Sequence, residues 1–291
     1  MDISTFLIIV YCLVDDCLKG YSLRKRGPQS RLSDSEVITM EIVGEFLGID
    51  TDKGLFIFFK NYFADWFPAI RSIHRTTFTR QAANLWKVKE RIWQELLLQM
   101  YFDRQISLVD SFPIPVCRFA RANRCRRLRE QAAFGYDEVA RQTFLGLRAH
   151  LRVCWPGVIV DTRLAAANVH ELIVAEELFE NVHGWVLGDR NYWSPRLANK
   201  SRSQGLTWLT PYKSAKREKE PWPIWIKHKR YRIETVIGQL VERFNAKKVW
   251  ARDTWHLLSR WFRKILSHTV AVLLCLERGV SPLQFASLID V

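Results

Sequence analysis

The period of the hydrophobic pattern changes near residue 105, and this change limits the folds that are open to the chain. Before it, apolar residues recur at helical spacing. After it, short apolar runs alternate with helical stretches. The pattern indicates an α/β layout in which hairpin-linked strands precede alternating helices and strands. Five strands are predicted, near residues 106–110, 143–154, 158–164, 185–189 and 206–209.

The N-terminal residues are predicted to form an all-helical domain over residues 1–103, with the second domain over residues 104–291. Ser33 and Glu36 form a capping-box pattern that opens one helix, and a long helix is predicted over residues 76–100. The succession of helix, tight turn and helix occurs in DNA-reading helix-turn-helix modules and also in plain helical bundles. Both interpretations stay open.

The charge balance indicates a polyanionic partner. The chain has 44 Lys and Arg against 30 Asp and Glu, a net charge of +14. This excess favours nucleic acid as the partner, with ribosome association and acidic membrane surfaces as alternatives. The 12 Trp and 17 Phe provide for a globular core and argue against a disordered basic tail.

The cysteines and the apolar segments predict a soluble, cytoplasmic and nucleoid-associated protein. The 6 Cys form no C-x-x-C pair and no zinc-like spacing with the 7 His, which suits reduced thiols. No segment approaches the roughly 20 apolar residues of a membrane span. We therefore expect no membrane association.

Three acidic residues stand where chemistry is expected. Asp110 and Asp189 each end a short apolar run that reads as a strand, and ligands of α/β sheets bind beyond strand ends. Glu234 lies at the margin of the apolar stripe of a helix whose start is crowded with Lys and Arg. A single Asp at a strand end is usually a loop or cap residue. Two such strands together with a semi-buried Glu on a basic helix are harder to dismiss, because burying like charges together is costly without a counter-cation.

A two-metal phosphodiester reaction would explain why these three carboxylates occur together. Two divalent cations roughly 3.5–4 Å apart neutralise the charge on the phosphate and activate the attacking oxygen. Carboxylates supply the hard oxygen ligands that such cations prefer. Asp110 and Asp189 are candidates for the bridging and first flanking ligands, and Glu234 for the second flank.

Other acidic residues are weaker candidates for this site. Glu242 falls on the polar side of its helix and is expected to face solvent. Asp161 lies on the polar face of the third strand, where a hairpin would pair it with Arg152. Asp137 is read as part of the arginine-rich loop and is expected to be a surface ion-pair partner.

Five motifs occur in order along the second half of the chain. They are Leu-Val-Asp110-Ser, Phe134-Gly-Tyr with Phe144-Leu-Gly-Leu-Arg-Ala-His150, Ala167-Asn-Val-His170-Glu, Leu-Gly-Asp189-Arg-Asn-Tyr and Arg-Ile-Glu234-Thr-Val-Ile-Gly. With these motifs the sequence resembles the DDE transposases of bacterial insertion sequences, in particular the insertion sequence 982-like group. This resemblance implies an RNase H-like catalytic domain, a mixed five-stranded sheet with flanking helices, in which Asp110, Asp189 and Glu234 are the metal-binding catalytic triad.

The same resemblance implies the reaction and its partners. A transposase of this kind uses two Mg²⁺ ions, with Mn²⁺ as a substitute, to cut the ends of its element. It then joins the freed 3′ hydroxyl to target DNA. Double-stranded DNA is the expected partner, as element ends and as target, and a homodimer is expected on it. A structure-selective nuclease and a non-catalytic DNA-binding repressor are the alternative functions.

Basic residues near the triad are candidate DNA contacts, and the aromatic residues among them are candidates for base stacking. Many relatives carry Tyr and Lys around the glutamate, where this chain has Lys227 and Val241. The candidate phosphate contacts are Arg148, Arg230, Arg232, Lys247 and Lys248. Further Lys and Arg crowd segments 118–130 and 213–232, with Trp222 and Trp225 as candidates for stacking on a base or for burial. The two motif histidines, His150 and His170, are expected to be structural.

Overall fold

The structure is a computed structural model that describes residues 1–21, 29–214, 222–248 and 250–289. Contacts divide the chain into two compact units. The first contains Met1–Met100 and Gln239–Val291, and the second contains Tyr101–Gly238. The sequence prediction assigned the C-terminal residues to the second domain instead.

The elements follow the predicted order: helices first, then a mixed sheet with flanking helices. The helices are α1 (Ile3–Leu18), α2 (Asp34–Phe46), α3 (Asp52–Tyr62), α4 (Arg75–Asn84), α5 (Trp86–Gln99), α6 (Glu171–Leu178), α7 (Pro195–Arg202), α8 (Ile224–Gly238) and α9 (Thr254–Glu277). The strands are β1 (Asp103–Arg118), β2 (Ala133–Asp137), β3 (Gln142–Trp155), β4 (Val158–Ala166), β5 (Gly184–Leu187) and β6 (Leu206–Leu209).

Local sequence determines where several helices of the first unit begin. The Ser33 side chain accepts a hydrogen bond from Glu36 N, and the Glu36 carboxylate accepts one from Ser33 N, so the predicted capping box is present. Thr51 and Asp253 cap α3 and α9 with their side chains. Each cap satisfies a backbone N–H that the first helical turn leaves without a partner.

The long helix predicted over residues 76–100 is wrong, because the chain breaks at Leu85 between α4 and α5. The carbonyl oxygen of Ala82 accepts hydrogen bonds from Lys89 Nζ, at 3.1 Å, and from Ser259 Oγ, at 2.8 Å. These side chains take up a carbonyl that a continuous helix would bond to an amide four residues on. Tertiary contacts therefore replace helical ones at this point.

Buried charges explain why the C-terminal helix belongs to the first unit. Arg263 and Lys264 on α9 are buried and bind the carboxylate of Glu45 on α2, at 2.5 and 2.9 Å. Lys89 on α5 binds the carboxylate of Glu41 on α2, at 2.8 Å. Burial raises the pKa of Glu41, and the cations Lys89 and Arg263 oppose that rise. Buried ions need such partners, so α9 is tied to the N-terminal helices.

The second unit is built on a six-stranded mixed sheet. β1 lies near its middle, antiparallel to β3 on one side and parallel to β5 on the other. β6 continues the sheet parallel to β5, and β3 pairs with β2 along its first half and with β4 along its second half. The sheet has one more strand than predicted, because β2 falls in residues that were read as loop. In the β3–β4 pair, Arg152 stands opposite Asp161, as predicted.

The two short helices α6 and α7 help to enclose the core of this sheet. A buried cluster joins residues of β1, β5 and β6 to residues of both helices and of the turn after β5. Its members are Val109, Val174, Ala175, Leu178, Phe179, Val186, Tyr192, Leu197 and Leu206. None of the described helices combines the length and the hydropathy needed to cross a membrane.

Candidate active site

Asp110 lies inside β1 and not at its end, since the strand continues to Arg118. The parallel pairing with β5 stops earlier, with Leu108 opposite Leu187. Extending this register by two residues brings Asp110 opposite Asp189, and neighbouring strands lie about 4.8 Å apart. The two aspartates therefore belong to adjacent chain segments at the point where β5 ends.

Each aspartate is oriented by a nearby backbone amide. Asp110 Oδ1 accepts a hydrogen bond from Ser111 N at 2.7 Å. Asp189 Oδ1 accepts one from Asn191 N at 2.9 Å, which caps the short helical turn Arg190–Tyr192. Both carboxylates keep further lone pairs for other ligands.

The electrostatics of Asp110 indicate that other carboxylates are near it. Its pKa is raised to about 7, mainly by burial and also by the neighbouring charges of Asp189 and Glu171. The hydrogen bond from Ser111 N and the charge of Arg230 oppose this rise. Carboxyl groups with a strongly raised pKa are found preferentially at functional sites.

Glu234 lines a cleft of about 800 Å³ together with Asp189. Its side chain is 46% exposed and lies 3.5 Å from Arg230 on the preceding turn of α8. The sequence pattern places Glu234 at the margin of a buried stripe, and its neighbours Ile233 and Val236 are indeed buried. Other residues that line the cleft are Glu138, Arg190, Trp222, Arg230 and Tyr231.

The predicted ligands are related in pairs, Asp110 with Asp189 and Asp189 with Glu234, and they do not form one closed cluster. Across the described ranges, no group of three or more His, Cys, Asp and Glu side chains has the arrangement of a metal site. Asp110 and Asp189 interact electrostatically, and Asp189 and Glu234 share the cleft. Like-charged carboxylates repel, and the three are held by Ser111 N, Asn191 N and Arg230, respectively.

Glu171, the first residue of α6, is a member of this region that sequence reasoning missed. Its Oε1 atom accepts hydrogen bonds from Ser111 Oγ at 2.7 Å and from Arg148 Nη1 at 2.9 Å. The motif Ala167-Asn-Val-His170-Glu contains Glu171, and an acidic residue at a helix start after a histidine cap was the available signal. Tyr192 is also buried nearby, and burial followed by the charges of Glu171, Asp110 and Asp189 raises its pKa.

The motif histidines have structural surroundings. His150 is fully buried in β3 opposite Ser111, and burial together with the charge of Arg148 lowers its pKa to about 4. His170 caps α6 by accepting a hydrogen bond from Leu172 N at 3.2 Å. Neither ring is needed to explain the carboxylate site.

The predicted DNA contacts have different surroundings. Arg148 is engaged by Glu171, whereas Arg230 lies on the cleft. Arg232 sits over the ring of Trp155 at 5.1 Å. Lys247 and Lys248 belong to the first compact unit. In segment 213–232, residues 215–221 lie outside the described residues and include Lys216, Arg217 and Lys219.

The rival acidic residues are also located. Glu242 is exposed, as predicted. Asp161 binds Arg163 at 2.5 Å and not the Arg152 that stands opposite it. Asp137 is buried, and its carboxylate accepts hydrogen bonds from two backbone amides of the β2–β3 turn, which corrects the surface role predicted for it. It closes the hairpin instead.

One family model matches the chain over just over half of its residues. The model of the transposase DDE domain matches residues 102–250. Among solved structures, the piggyBac transposase synaptic complex with hairpin DNA aligns with a TM-score of 0.50 and 10% identity over 97% of this chain and 76% of that chain. The Mos1 mariner paired end complex with Mn aligns with a TM-score of 0.24 and 12% identity, over 87% of this chain and 81% of that chain. No curated protein matches the chain.

Proposed function

The chain belongs to the transposase DDE-domain family, whose model spans just over half of its residues, and from this premise we propose that it is a DNA transposase. It cuts the ends of an insertion sequence and joins the freed 3′ hydroxyl to target DNA. The observation that carries the proposal is the β1–β5 register, which ends with Leu108 opposite Leu187 and, extended by two residues, brings Asp110 opposite Asp189. The membership in the insertion sequence 982-like group stays a prediction.

Asp110, Asp189 and Glu234 are the proposed ligands of two Mg²⁺ ions, with Mn²⁺ as the substitute. The donor set fits such ions, because carboxylate oxygens are their preferred protein ligands. The raised pKa of Asp110 beside Asp189 supports the assignment, since a cation would relieve the repulsion between the two carboxylates. When bound, the ions supply charge neutralisation at the phosphate and activation of the attacking oxygen.

The chain's own residues prepare the site for this chemistry. The amides of Ser111 and Asn191 fix the orientations of Asp110 and Asp189. Glu234 shares the cleft with Asp189, and breaking its 3.5 Å contact with Arg230 frees its carboxylate to turn towards the aspartates. Arg230 is then available to a DNA phosphate that enters the cleft.

DNA binding follows from the charge of the chain. The net charge of +14 and the arginines beside the cleft favour double-stranded DNA, as element ends and as target. Arg230, Arg232, Lys247 and Lys248 are proposed phosphate contacts. Two element ends must be held together for joining, so the proposed active form is a homodimer on DNA.

The test uses labelled DNA from the flanks of the gene, with Mg²⁺, with Mn²⁺ and with EDTA. Wild-type protein is expected to cut with either metal and not with EDTA. Asp110→Asn is expected to lose about a thousandfold in cutting rate, about 4 kcal/mol in barrier height, while DNA affinity persists. Asp161→Asn is the matched control, because it makes the same change on β4 away from the proposed ligands. Cutting by Asp110→Asn at the wild-type rate would refute the assignment.

A joining assay separates the proposal from its alternatives. A DNA strand with a pre-formed 3′ hydroxyl end is mixed with plasmid target and Mg²⁺. A transposase joins the two molecules, whereas a structure-selective nuclease cuts DNA without joining it. A repressor binds DNA equally well with EDTA and neither cuts nor joins.

A further inference from the structure

Three large aromatic side chains are exposed side by side next to the arginine-rich segment. Phe119 is 61% exposed, Phe134 48% and Tyr136 50%, and we call these three residues the aromatic strip. The rings of Phe119 and Phe134 lie 5.7 Å apart. Phe134 and Tyr136 alternate with Gly135 along β2, so they share one face of the strand. Contiguous exposed apolar surface of this kind usually marks a binding site.

The backbone holds the strip in place. A Cβ atom at Gly135 would lie 2.7 Å from that of Ala167, so the opposite face of β2 is tightly packed. β2 pairs with β3 over its whole length, and Asp137 closes the turn between them. The rings of Phe134 and Tyr136 are therefore presented by a strand whose backbone is fixed on both of these sides, and Phe119 packs against Phe134 from the short helical turn that follows β1.

The charge around the strip indicates the chemistry of its partner. The segment before β2 carries exposed arginines and a single acid, Glu130. Aromatic rings beside arginines fit nucleic acid, because rings stack on bases while guanidinium groups meet phosphates. A duplex hides the faces of its bases, so the rings need bases that are unpaired. The exposed arginines are Arg118, Arg121, Arg124, Arg126 and Arg129.

The strip lies beside the carboxylates of the candidate active site. Arg148 Nη2 donates a hydrogen bond to the carbonyl oxygen of Tyr136 at 3.3 Å, and its Nη1 donates to Ser111 Oγ at 3.1 Å. Ser111 is the residue after Asp110. Glu138, which follows directly after β2 and lies two residues beyond Tyr136, lines the same cleft as Asp189 and Glu234. A strand whose phosphate reaches the carboxylates thus has the strip as a neighbour.

We propose that the aromatic strip binds unpaired bases of the DNA strand next to the phosphate that is cut. This inference rests on the proposed function and deepens it, since it makes an element end with frayed or unpaired bases the preferred substrate. Stacking on Phe134 and Tyr136 offsets the cost of separating those bases from their partners. The arginines of the preceding segment hold the backbone of the same strand.

The experiment measures DNA affinity by fluorescence anisotropy with the full chain in EDTA, so that cutting does not contribute. The probes are a labelled duplex, the same duplex with unpaired bases at one end, and a labelled oligo-dT of about twelve nucleotides. The double variant Phe134→Ala/Tyr136→Ala is expected to lose at least about tenfold in affinity for the two probes with unpaired bases. Its affinity for the paired duplex is expected to change less than about twofold, with an unchanged salt slope, because no phosphate contact is removed.

Two further variants keep the test decisive. Tyr101→Ala removes a tyrosine that is 95% exposed outside the strip and is expected to change no affinity. Phe134→Tyr/Tyr136→Phe keeps both rings and is expected to bind as wild type, whereas a loss equal to that of the alanine variant would overturn the proposal. An equal loss on paired and unpaired probes, or no loss on either, would also overturn it.

The remaining outcomes identify the rival occupant and separate this proposal from the catalytic one. If the alanine variant loses self-association in sedimentation and keeps its DNA affinities, the strip binds a second copy of the chain and the proposal is wrong. Failure of the proposed function would show as absence of Mg²⁺-dependent cutting by wild-type protein. That result is read in a different assay and leaves the affinities measured in EDTA unchanged.

Discussion

The guanidinium of Arg148 and the carboxylate of Glu171 form a largely buried ion pair beside Asp110, with Nη1 and Oε1 2.9 Å apart. Ser111 joins the pair to the site, because its hydroxyl donates to Glu171 and its amide donates to Asp110. An arginine predicted to meet DNA phosphates is thus bound within the protein. We therefore expect Arg148 to hold Glu171 and Ser111 in position beside Asp110 and not to bind DNA.

The ion pair should behave as one unit in stability measurements. Glu171→Gln and Arg148→Met are each expected to lower the free energy of unfolding by about 1–3 kcal/mol, since each leaves a partly buried charge without its partner. The double variant should cost about as much as either single variant. Urea unfolding of the four proteins measures this. Additive losses would show that the two side chains act separately.

Arg163→Met is the matched control for that series. Arg163 is paired with Asp161, but its side chain is about half exposed. Exposed pairs contribute roughly 0–1 kcal/mol, so a small change in the free energy of unfolding is expected. A loss as large as that of Arg148→Met would mean that burial does not explain the difference between the two arginines.

The salt dependence of DNA binding should separate Arg230 from Arg148. Arg230 faces the cleft and holds Glu234 only at 3.5 Å, so we expect it to contact a phosphate. Arg230→Met should reduce the slope of log affinity against log salt by about 1. Arg148→Met, the same change at a guanidinium engaged by Glu171, should leave the slope unchanged. If both variants reduced the salt slope equally, Arg148 would also contact a phosphate, as the sequence predicted.

The raised pKa of Asp110 predicts a pH dependence of stability in the absence of divalent ions. Between about pH 4 and about pH 7 the folded protein holds a proton on Asp110 that the unfolded chain releases. The contribution of Asp110 to the free energy of unfolding is therefore fully present below about pH 4 and is lost as the pH rises through about 7. Asp110→Asn cannot ionise and should be more stable than wild type by roughly 1–3 kcal/mol at pH 8.

The measurement is a series of thermal unfolding curves in EDTA for wild type and Asp110→Asn, recorded from about pH 4 to about pH 8. Buried His150 titrates in the opposite sense, because burial lowers its pKa to about 4 and its stabilising neutral form is favoured as the pH rises. The difference between wild type and Asp110→Asn cancels this contribution. A difference that does not change with pH would show that Asp110 ionises normally in the fold.

The elements that could be predicted from sequence are those that a few neighbouring residues determine. Ser33 and Glu36 lie three residues apart and make the capping box with little help from the rest of the fold. The strand over Leu206–Leu209 follows from a short apolar run with a clear end. The same pattern placed Asp110 at the end of its strand, which is wrong, because β1 continues to Arg118. Alternation and caps act over a few residues, so they can be read from the sequence.

Features that depend on distant residues could not be predicted in this way. β2 has only five residues, and it is a strand because β3 pairs with it. The break at Leu85 depends on Ser259, which lies far away in sequence. Glu171 belongs to the site because it binds Ser111 and Arg148, and no residue spacing in the sequence indicates these contacts.

The buried charges of the first unit predict a large difference between two chemically identical substitutions. Lys89 is fully buried against Glu41, whereas Lys19 pairs with Asp16 in an exposed position. Lys89→Met leaves the Glu41 carboxylate buried with one cation fewer, so it should lower the free energy of unfolding by about 3–5 kcal/mol. Lys19→Met should leave the free energy of unfolding almost unchanged, because water screens this exposed pair. Urea unfolding measures both.

A third variant distinguishes lost charge pairing from lost packing at Lys89. In Lys89→Met/Glu41→Leu the pair is replaced by apolar side chains of similar size, so no charge of the pair remains buried alone. Replacement of a whole buried pair is often close to neutral, so this variant should recover most of the stability that Lys89→Met loses. Arg263 also approaches Glu41, at 3.7 Å, but it keeps Glu45 and Asp52 as partners. If the double variant were less stable than Lys89→Met, the pair would matter for its shape and hydrogen bonds and not for its charge.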